Sequence, residues 1–148
     1  MKILITSDVH GKKSLLEEVI KKHPNMYHLN AGDIGLSESY LDEQNILSVK
    51  GNTDFFSKLP EMRLLEHEGL KILLTHGHLY YVKRNLDLLV DKAKSLDVNI
   101  CIFGHTHMRF SKVIKGVLFL NPGALSDYER SYAIFDNGKV EFYNLWMN

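Results

Sequence analysis

The stretch Cys101–Met108 reads CIFGHTHM, an apolar run that ends at a glycine and is followed by two histidines one residue apart. A short run of this kind is typical of a strand that is covered on both faces in an α/β protein. Polar residues that follow such a strand lie at the carboxyl edge of the sheet, where loops converge into sites. The stretch therefore predicts a buried strand that leads directly into a functional loop.

The same succession of strand-like run, glycine and polar side chains recurs along the chain. Four further clusters follow predicted strands: Asp8-Val9-His10, Gly32-Asp33, Gly51-Asn52 and Thr75-His76-Gly77-His78. Taken singly, each is compatible with an ordinary turn. Because five of the eight histidines and two acids fall at equivalent strand ends, we interpret the clusters together as one site.

Strands and helices alternate in the first third of the chain, which predicts parallel pairing. Strands are predicted at Met1–Thr6 and Met26–Asn30, and a weaker helix at about Ser37–Gln44. Between the strands, Ser14 and Glu17 match a capping box at the start of a helix that Pro24 ends.

Hairpins and one helix dominate the rest of the chain. Turn signals at Glu68-Gly69, Lys115-Gly116 and Asn137-Gly138 each separate two strand-like runs. Residues 85–96 place Leu86, Leu89, Val90 and Ala93 on one helical face. We expect an α/β fold of mixed sheets flanked by helices, in a single domain that spans residues 1–148.

Composition excludes several classes of protein. The 148 residues are 45% hydrophobic, which suits one globular domain. With 18 basic and 18 acidic residues the formal net charge is zero, so binding of duplex nucleic acid is not expected. No membrane span or secretory signal is predicted, and the single cysteine, Cys101, suits a buried position in a reducing compartment. The prediction is a cytoplasmic protein.

The polar clusters carry a set of side chains suited to metal binding. Carboxylate, imidazole and amide ligands without thiolate favour Mn, Fe, Co, Ni or Zn over Ca. Seven candidates exceed what one ion normally takes from a protein, but they suit two ions about 4 Å apart, which can clamp both oxygens of a phosphoryl transfer. The candidate ligands are Asp8, His10, Asp33, Asn52, His76, His105 and His107.

In their order and spacing, these motifs resemble the calcineurin-like metallophosphoesterases. More narrowly, the chain is similar to the small bacterial and archaeal phosphodiesterases related to the eukaryotic retromer subunit Vps29. The matching residues are D-x-H at Asp8 and His10, G-D at Asp33, G-N-x-D at Asn52 and Asp54, H-G-H at His76, G-H-T-H at His105 and His107, and N-P-G at Asn121 to Gly123.

The resemblance implies a four-layer α/β/β/α sandwich of two mixed sheets. It also implies that one metal is held by Asp8, His10 and His107, the other by Asn52, His76 and His105, with Asp33 bridging both. A water or hydroxide between the ions would then be the nucleophile, because metal coordination lowers the pKa of water.

One residue departs from the pattern of the wider superfamily, in which G-N-H-D supplies a histidine thought to protonate the leaving group. Thr53 occupies that position here and cannot act as an acid near neutral pH. The substitution predicts slow turnover of poor leaving groups. The candidates for direct roles in catalysis are Asn52, His76 and His78, of which His78 offers proton transfer or a contact with the substrate.

The predicted function is hydrolysis of small phosphate esters, most readily diesters, with the help of two divalent ions, and nucleotide-like esters are among the candidate substrates. Mn²⁺ is the first choice of ion, with Ni²⁺, Fe²⁺, Co²⁺ or Zn²⁺ as alternatives. Two other interpretations stay open: a docking module of the Vps29 kind that retains metal, and a single structural zinc. Exposed aromatic residues such as Tyr80, Tyr81 and Trp146 could line a homodimer surface, and no membrane partner is expected.

Overall fold

The computed structural model of the protein describes residues 2–145, which form ten strands, three α-helices and one 3₁₀ helix at His78–Tyr80. The helices are α1 (Lys13–Lys22), α2 (Glu38–Glu43) and α3 (Asp87–Ser95). The strands are β1 (Lys2–Thr6), β2 (Tyr27–Asn30), β3 (Ile46–Ser48), β4 (Met62–His67), β5 (Leu70–Thr75), β6 (Ile100–Ile102), β7 (Arg109–Ile114), β8 (Val117–Pro122), β9 (Ser131–Asp136) and β10 (Lys139–Asn144).

The first sheet has the strand order β10-β9-β1-β2-β3. β1, β2 and β3 are parallel, so the pairing predicted from the alternation of strands and helices is confirmed. The antiparallel hairpin of β9 and β10 completes the sheet against the other side of β1. β1 is thus buried in the middle of the sheet, which explains why its residues are nearly all apolar.

The second sheet has the order β4-β5-β6-β8-β7, with β5, β6 and β8 parallel and the two edge strands antiparallel to their neighbours. All three predicted hairpin turns form. At Glu68-Gly69, Lys115-Gly116 and Asn137-Gly138 both central residues have positive φ, as a two-residue type I′ turn requires.

The two sheets face each other and enclose one part of the core. Ile5 and Leu29 from the first sheet pack there with Leu74 and Ile102 from the second. On the outer face of the first sheet lie α1 and α2, and α3 covers the second sheet through Leu89, Val90 and Ala93. The resulting order of layers is α/β/β/α, as expected.

The start of α1 differs from the prediction. The helix begins at Lys13, with Lys12 in the capping position and no side-chain cap, so the interpretation of Ser14 and Glu17 as a capping box is wrong. Backbone hydrogen bonds from His10 and Gly11 in the preceding loop to Asp33 and Ile34 fix that loop, and the helix begins two residues earlier than the capping box predicts. α2, in contrast, is capped by a side chain, since Ser37 Oγ accepts from the Tyr40 N–H at 3.2 Å.

No helix within residues 2–145 has the length and apolar character needed to cross a membrane. Among the aromatic residues considered for a dimer surface, Tyr81 is 62% exposed and Tyr80 is half-buried. Trp146 lies outside the described residues. A homodimer therefore stays a prediction.

Candidate metal centre

Loops from both sheets meet at one edge of the sandwich, and all seven candidate ligands lie on these loops. Asp8 follows β1, Asp33 follows β2 and Asn52 follows β3 by four residues. From the second sheet, His76 follows β5, and the loop after β6 carries His105 and His107. The parallel strands explain this convergence, because their carboxyl ends share one edge of each sheet.

The carboxylate of Asp8 lies at the middle of the cluster and is fully buried. Oδ2 accepts hydrogen bonds from Ser7 Oγ at 2.5 Å and from the His105 N–H at 3.2 Å. Oδ1 is buried without a hydrogen-bond partner. It faces the Nε2 atoms of three histidines: His107 at 3.3 Å, His10 at 3.7 Å and His76 at 3.9 Å.

Asp33 is the second buried carboxylate of the cluster. Oδ1 accepts from the backbone N–H of Thr53 at 2.8 Å, while Oδ2 lies 3.2 Å from His76 Nε2 and 3.9 Å from His10 Nε2. Burial alone would raise the pKa of Asp33, but the hydrogen bonds from His76 and Thr53 and the charge of His76 lower it overall. An ionised, acceptor-only carboxylate therefore faces two imidazoles.

His76 is held from behind by the backbone. Its Nδ1 lies 2.7 Å from the carbonyl oxygen of Ala31, to which it donates, so Nε2 faces the cluster. Asn52 Oδ1 lies 2.9 Å from that Nε2. Burial would lower the pKa of His76, yet the carboxylates of Asp33 and Asp8 raise it overall.

Asp127 supplies a contact that the sequence did not reveal. Its two carboxylate oxygens lie 3.1 and 3.0 Å from His107 Nδ1, which leaves Nε2 pointing at Asp8. The neighbouring Asp8 carboxylate raises the pKa of His107 to about 9 against the opposing effect of burial, and the Asp127 charge adds to the rise. Asp127 lies in an irregular loop 20 residues along the chain, and no motif marks it as a partner of His107.

His105 and His78 complete a group of imidazoles on the side of the second sheet. Their ring centroids lie 5.0 and 5.3 Å from that of His76, and 6.1 Å from each other. Burial, aided by the charge of His76, lowers the pKa of His105 to about 4 and also lowers that of His78. Nδ1 of His78 is buried without a hydrogen-bond partner.

Asp54 ties two of the loops together. Its Oδ2 accepts from the N–H groups of Gly51 at 2.8 Å and Asp33 at 2.9 Å, and Oδ1 accepts from Gly35 at 3.2 Å. The sequence left open whether Asp54 orients its loop or merely forms a turn. These three bonds show that it fixes the loop after β3 against the loop after β2.

Left-handed backbone is concentrated at the cluster. Five of the seven candidate ligands have φ between 50° and 70°: Asp8, His10, Asp33, His105 and His107. Asp and His tolerate this conformation better than most residues, but a non-glycine residue held there costs on the order of 1 kcal/mol or more. Such strain is typical of sites whose side chains are aimed by the surrounding structure.

Two glycines allow the loops to approach one another closely. A Cβ on Gly51 would overlap the carboxylate and backbone nitrogen of Asp33, and one on Gly104 would overlap the Ser7 hydroxyl and approach Asp8 Oδ2. The glycines that mark these clusters in the sequence are therefore required for packing of the ligand loops. Asn121 holds the loop that contains Gly104, because its side-chain amide donates to the Gly104 carbonyl and to Thr106 Oγ1.

The donor atoms are close enough to hold metal. Two groups each have their ligand atoms within 4.8 Å of one another, Asp8 with His10 and His107, and Asp8 with Asp33 and His76. A buried carboxylate oxygen that lacks a hydrogen-bond donor and faces three imidazole nitrogens suits a divalent cation. The arrangement is chemically capable of binding metal beside an open surface.

Comparison with known proteins identifies the class of protein that this fold and site define. The sequence profile described as the calcineurin-like phosphoesterase superfamily domain matches residues 1–139. The chain belongs to this superfamily.

Individual relatives agree with that assignment. The probable metallophosphoesterase YsnB of Bacillus subtilis is 34% identical over 154 residues, which cover 97% of this chain and 91% of YsnB. The crystal structure of a predicted phosphoesterase from Streptococcus pneumoniae superposes with a TM-score of 0.88 at 34% identity, covering 97% of this chain and 89% of that one. An archaeal phosphodiesterase superposes with a TM-score of 0.77 at 25% identity, covering 97% and 99%.

Proposed function

We propose that the protein is a metal-dependent phosphodiesterase that hydrolyses small phosphate esters at a centre of two divalent ions. The observation that carries this proposal is the buried Asp8 Oδ1, which has no hydrogen-bond donor and faces three imidazole nitrogens. A carboxylate oxygen in that setting needs a cation. Membership of the superfamily supplies the class of reaction.

In this proposal, Asp8, His10 and His107 hold one ion, and Asn52, His76 and His105 hold the other. Asp33 bridges them, which agrees with the approach of its Oδ2 to both His10 and His76. Two divalent ions bound there would supply Lewis acidity toward phosphoryl oxygens and a water of lowered pKa as nucleophile. Mn²⁺ is the ion to test first.

The remaining polar residues orient the reacting groups. Asn52 presents its side-chain amide beside His76, where it would also reach a phosphoryl oxygen. His78 places an imidazole next to His76 and His105, in a position to contact the substrate or transfer a proton. Thr53 contributes through its backbone N–H to Asp33, and its side chain offers no acid for the leaving group.

Two features favour diesters over monoesters. The half-exposed His10 and His107 leave the centre open at the surface, and Asn52 lies at the rim. Without a general acid at Thr53, the reaction depends on leaving groups that depart as stable anions. An ester of an acidic alcohol is thus the better substrate.

The experiment uses protein stripped with chelator and then given Mn²⁺. Rates are measured on bis-p-nitrophenyl phosphate and on p-nitrophenyl phosphate, together with metal content. We expect metal-restored turnover that is faster on the diester. Asp33→Asn should lower kcat/KM by at least about 100-fold and reduce bound metal, because the carboxylate shared by both ions loses its charge. Asp91→Asn, on the exposed face of α3, is the matched control.

Other results would favour the alternative interpretations. Two bound ions without turnover on either ester would contradict the proposed enzymatic activity and favour a docking module. One tightly held ion without turnover would favour a structural zinc. Unchanged hydrolysis and metal content in Asp33→Asn would exclude the proposed centre.

A further inference from the structure

A cavity of about 450 Å³ adjoins the loop that carries His105 and His107. Thr106, the residue between His105 and His107, forms part of its wall, so the cavity adjoins the loop that carries both histidines. Its volume lies in the range of small-molecule sites. The other lining side chains include Val82, Leu86, Phe103, Met108 and Phe110.

The wall of this cavity is mainly apolar and partly aromatic. Phe103 and Phe110 pack edge to face, with ring centroids 6.1 Å apart. Phe103 is buried, Phe110 is half-buried, and the thioether of Met108 is 70% exposed. Aromatic rings and a polarizable sulfur form a suitable surface for another flat ring.

Lys83 gives the cavity a positive charge. No acidic residue lines the cavity, and within residues 2–145 no carboxylate lies within ion-pair distance of Lys83. Arg109 also borders the cavity, but its guanidinium is turned to Ser131, to the Tyr143 carbonyl and to Asn144.

We propose that this cavity binds the second substituent of a phosphate diester and selects an aromatic group there, such as a nucleobase or an aryl ring. Lys83 pairs with an anionic oxygen of the same substrate at the mouth of the cavity. This inference rests on the proposed phosphodiesterase function and names the substrate class of the same site. The apolar wall explains selection of a ring, and Thr106 links the cavity to the loop that carries His105 and His107.

The test compares three p-nitrophenyl diesters whose second substituent is methyl, phenyl or 5′-thymidyl, using the Mn²⁺-loaded protein. The leaving group is the same in all three, so differences in kcat/KM report on the second substituent alone. We expect the phenyl and thymidyl esters to exceed the methyl ester by at least about 10-fold, mainly through KM, because the ring is buried against apolar side chains.

Variants then assign the preference to this cavity. Phe110→Ala should reduce the preference for aromatic esters to less than about 3-fold. Met108→Ala changes an exposed side chain and should reduce it without disturbing the core. Lys83→Gln should raise KM for all three esters by about 5- to 10-fold, whereas Lys139→Gln, at the start of β10, should not.

Several results would overturn the inference. Equal kcat/KM on the three esters would leave the phosphodiesterase intact and remove the aromatic subsite. Loss of the preference in Tyr128→Ala instead of Phe110→Ala would assign it to the neighbouring cavity, which His107 and Tyr128 line. Conversion of a dimer to a monomer by Met108→Ala, with the preference unchanged, would make this face a contact between copies of the chain.

A binding measurement separates failure of the subsite from failure of the proposed function. If no ester is hydrolysed, the phosphodiesterase proposal is wrong. Calorimetry with phenylphosphonate and methylphosphonate then decides the subsite alone. Binding of the phenyl compound about 10-fold more tightly, lost in Phe110→Ala, would uphold the aromatic subsite, and equal affinities would exclude it.

Discussion

The hydrogen bond between Asp127 and His107 leads to the first prediction at the scale of single residues. Asp127→Asn should weaken binding of Mn²⁺ by about 10- to 100-fold, because the carboxylate orients His107 and makes its Nε2 a better ligand. Affinity is measured by competition with a fluorescent chelator, so the result does not depend on turnover. Glu129→Gln, an exposed neighbour, is the control. Equal affinities of Asp127→Asn and the wild type would show that the contact does not support metal binding.

His28 allows a prediction about pH and stability. It is fully buried beside Thr6 Oγ1, and burial lowers its pKa from 6.5 to about 3. Because the unfolded state takes up the proton first, titration of His28 lowers the free energy of unfolding as the pH falls from 6.5 toward 3. Above pH 6.5 it has no effect. Between pH 8 and pH 5 this loss is about 2 kcal/mol.

The variant His28→Gln isolates that contribution. It carries no titrating group at this position, so urea denaturation at pH 8 and pH 5 should show a loss smaller than that of the wild type by about 2 kcal/mol. Groups at the metal centre titrate in both proteins, and their contribution cancels in the difference. Equal losses in the two proteins would mean that His28 is protonated in the folded state.

At this scale the sequence predicted residue types better than residue contacts. Asp8, His10 and the other candidate ligands stand out because only a few types of side chain bind divalent metals, and these types recur in short motifs after successive predicted strands. Asp127 does not stand out, because its contact with His107 depends on how two distant loops pack. Asp54 was recognised as a motif residue, but its three bonds to separate loops follow only from the structure.

At the scale of elements, Asp54 connects the loops that follow β2 and β3. Asp54→Asn should lower the free energy of unfolding by about 1 to 3 kcal/mol, because an amide NH₂ replaces one oxygen that accepts backbone N–H bonds. Metal affinity should fall as well, since Asp33 would lose a fixed backbone position. Urea denaturation and chelator competition measure the two effects. Asp42→Asn, exposed in α2, should change neither quantity, and an Asp54→Asn protein equal to the wild type would contradict the role of Asp54.

Strands and hairpins were predictable because local chemistry decides them. A two-residue turn that ends in glycine specifies a type I′ hairpin almost by itself, and all three formed. The start of α1 was predicted wrongly because a tertiary effect decides it: the loop before Lys13 is paired with the backbone of Asp33 and Ile34. A capping-box pattern in the sequence carries no information about backbone hydrogen bonds to another loop.

At the scale of the whole molecule, metal binding should stabilise the fold, because the candidate ligands come from both sheets. Mn²⁺ at 100 times its dissociation constant should add about 2.7 kcal/mol for each independent site. For a chain of this size that corresponds to an increase in Tm of about 5 to 10 °C per site. Differential scanning fluorimetry of stripped and reloaded protein measures the increase. An unchanged Tm at saturating Mn²⁺ would contradict a centre shared by the two sheets, and Asp8→Asn should show a reduced response.

The central position of β1 has a consequence for synthesis of the protein in the cell. Ile5 pairs with Leu29 on one side and with Ala133 on the other. At about 5 to 20 residues per second, a ribosome needs roughly 6 to 25 seconds to synthesise the chain between Ile5 and Ala133. The edge of β1 that pairs with β9 stays unpaired for that time. The nascent chain therefore exposes one apolar edge of β1 until β9 has been synthesised. The proposed metal centre also forms late, because Asp8 and His107 come together only after the loops that follow β1 and β6 have packed against each other.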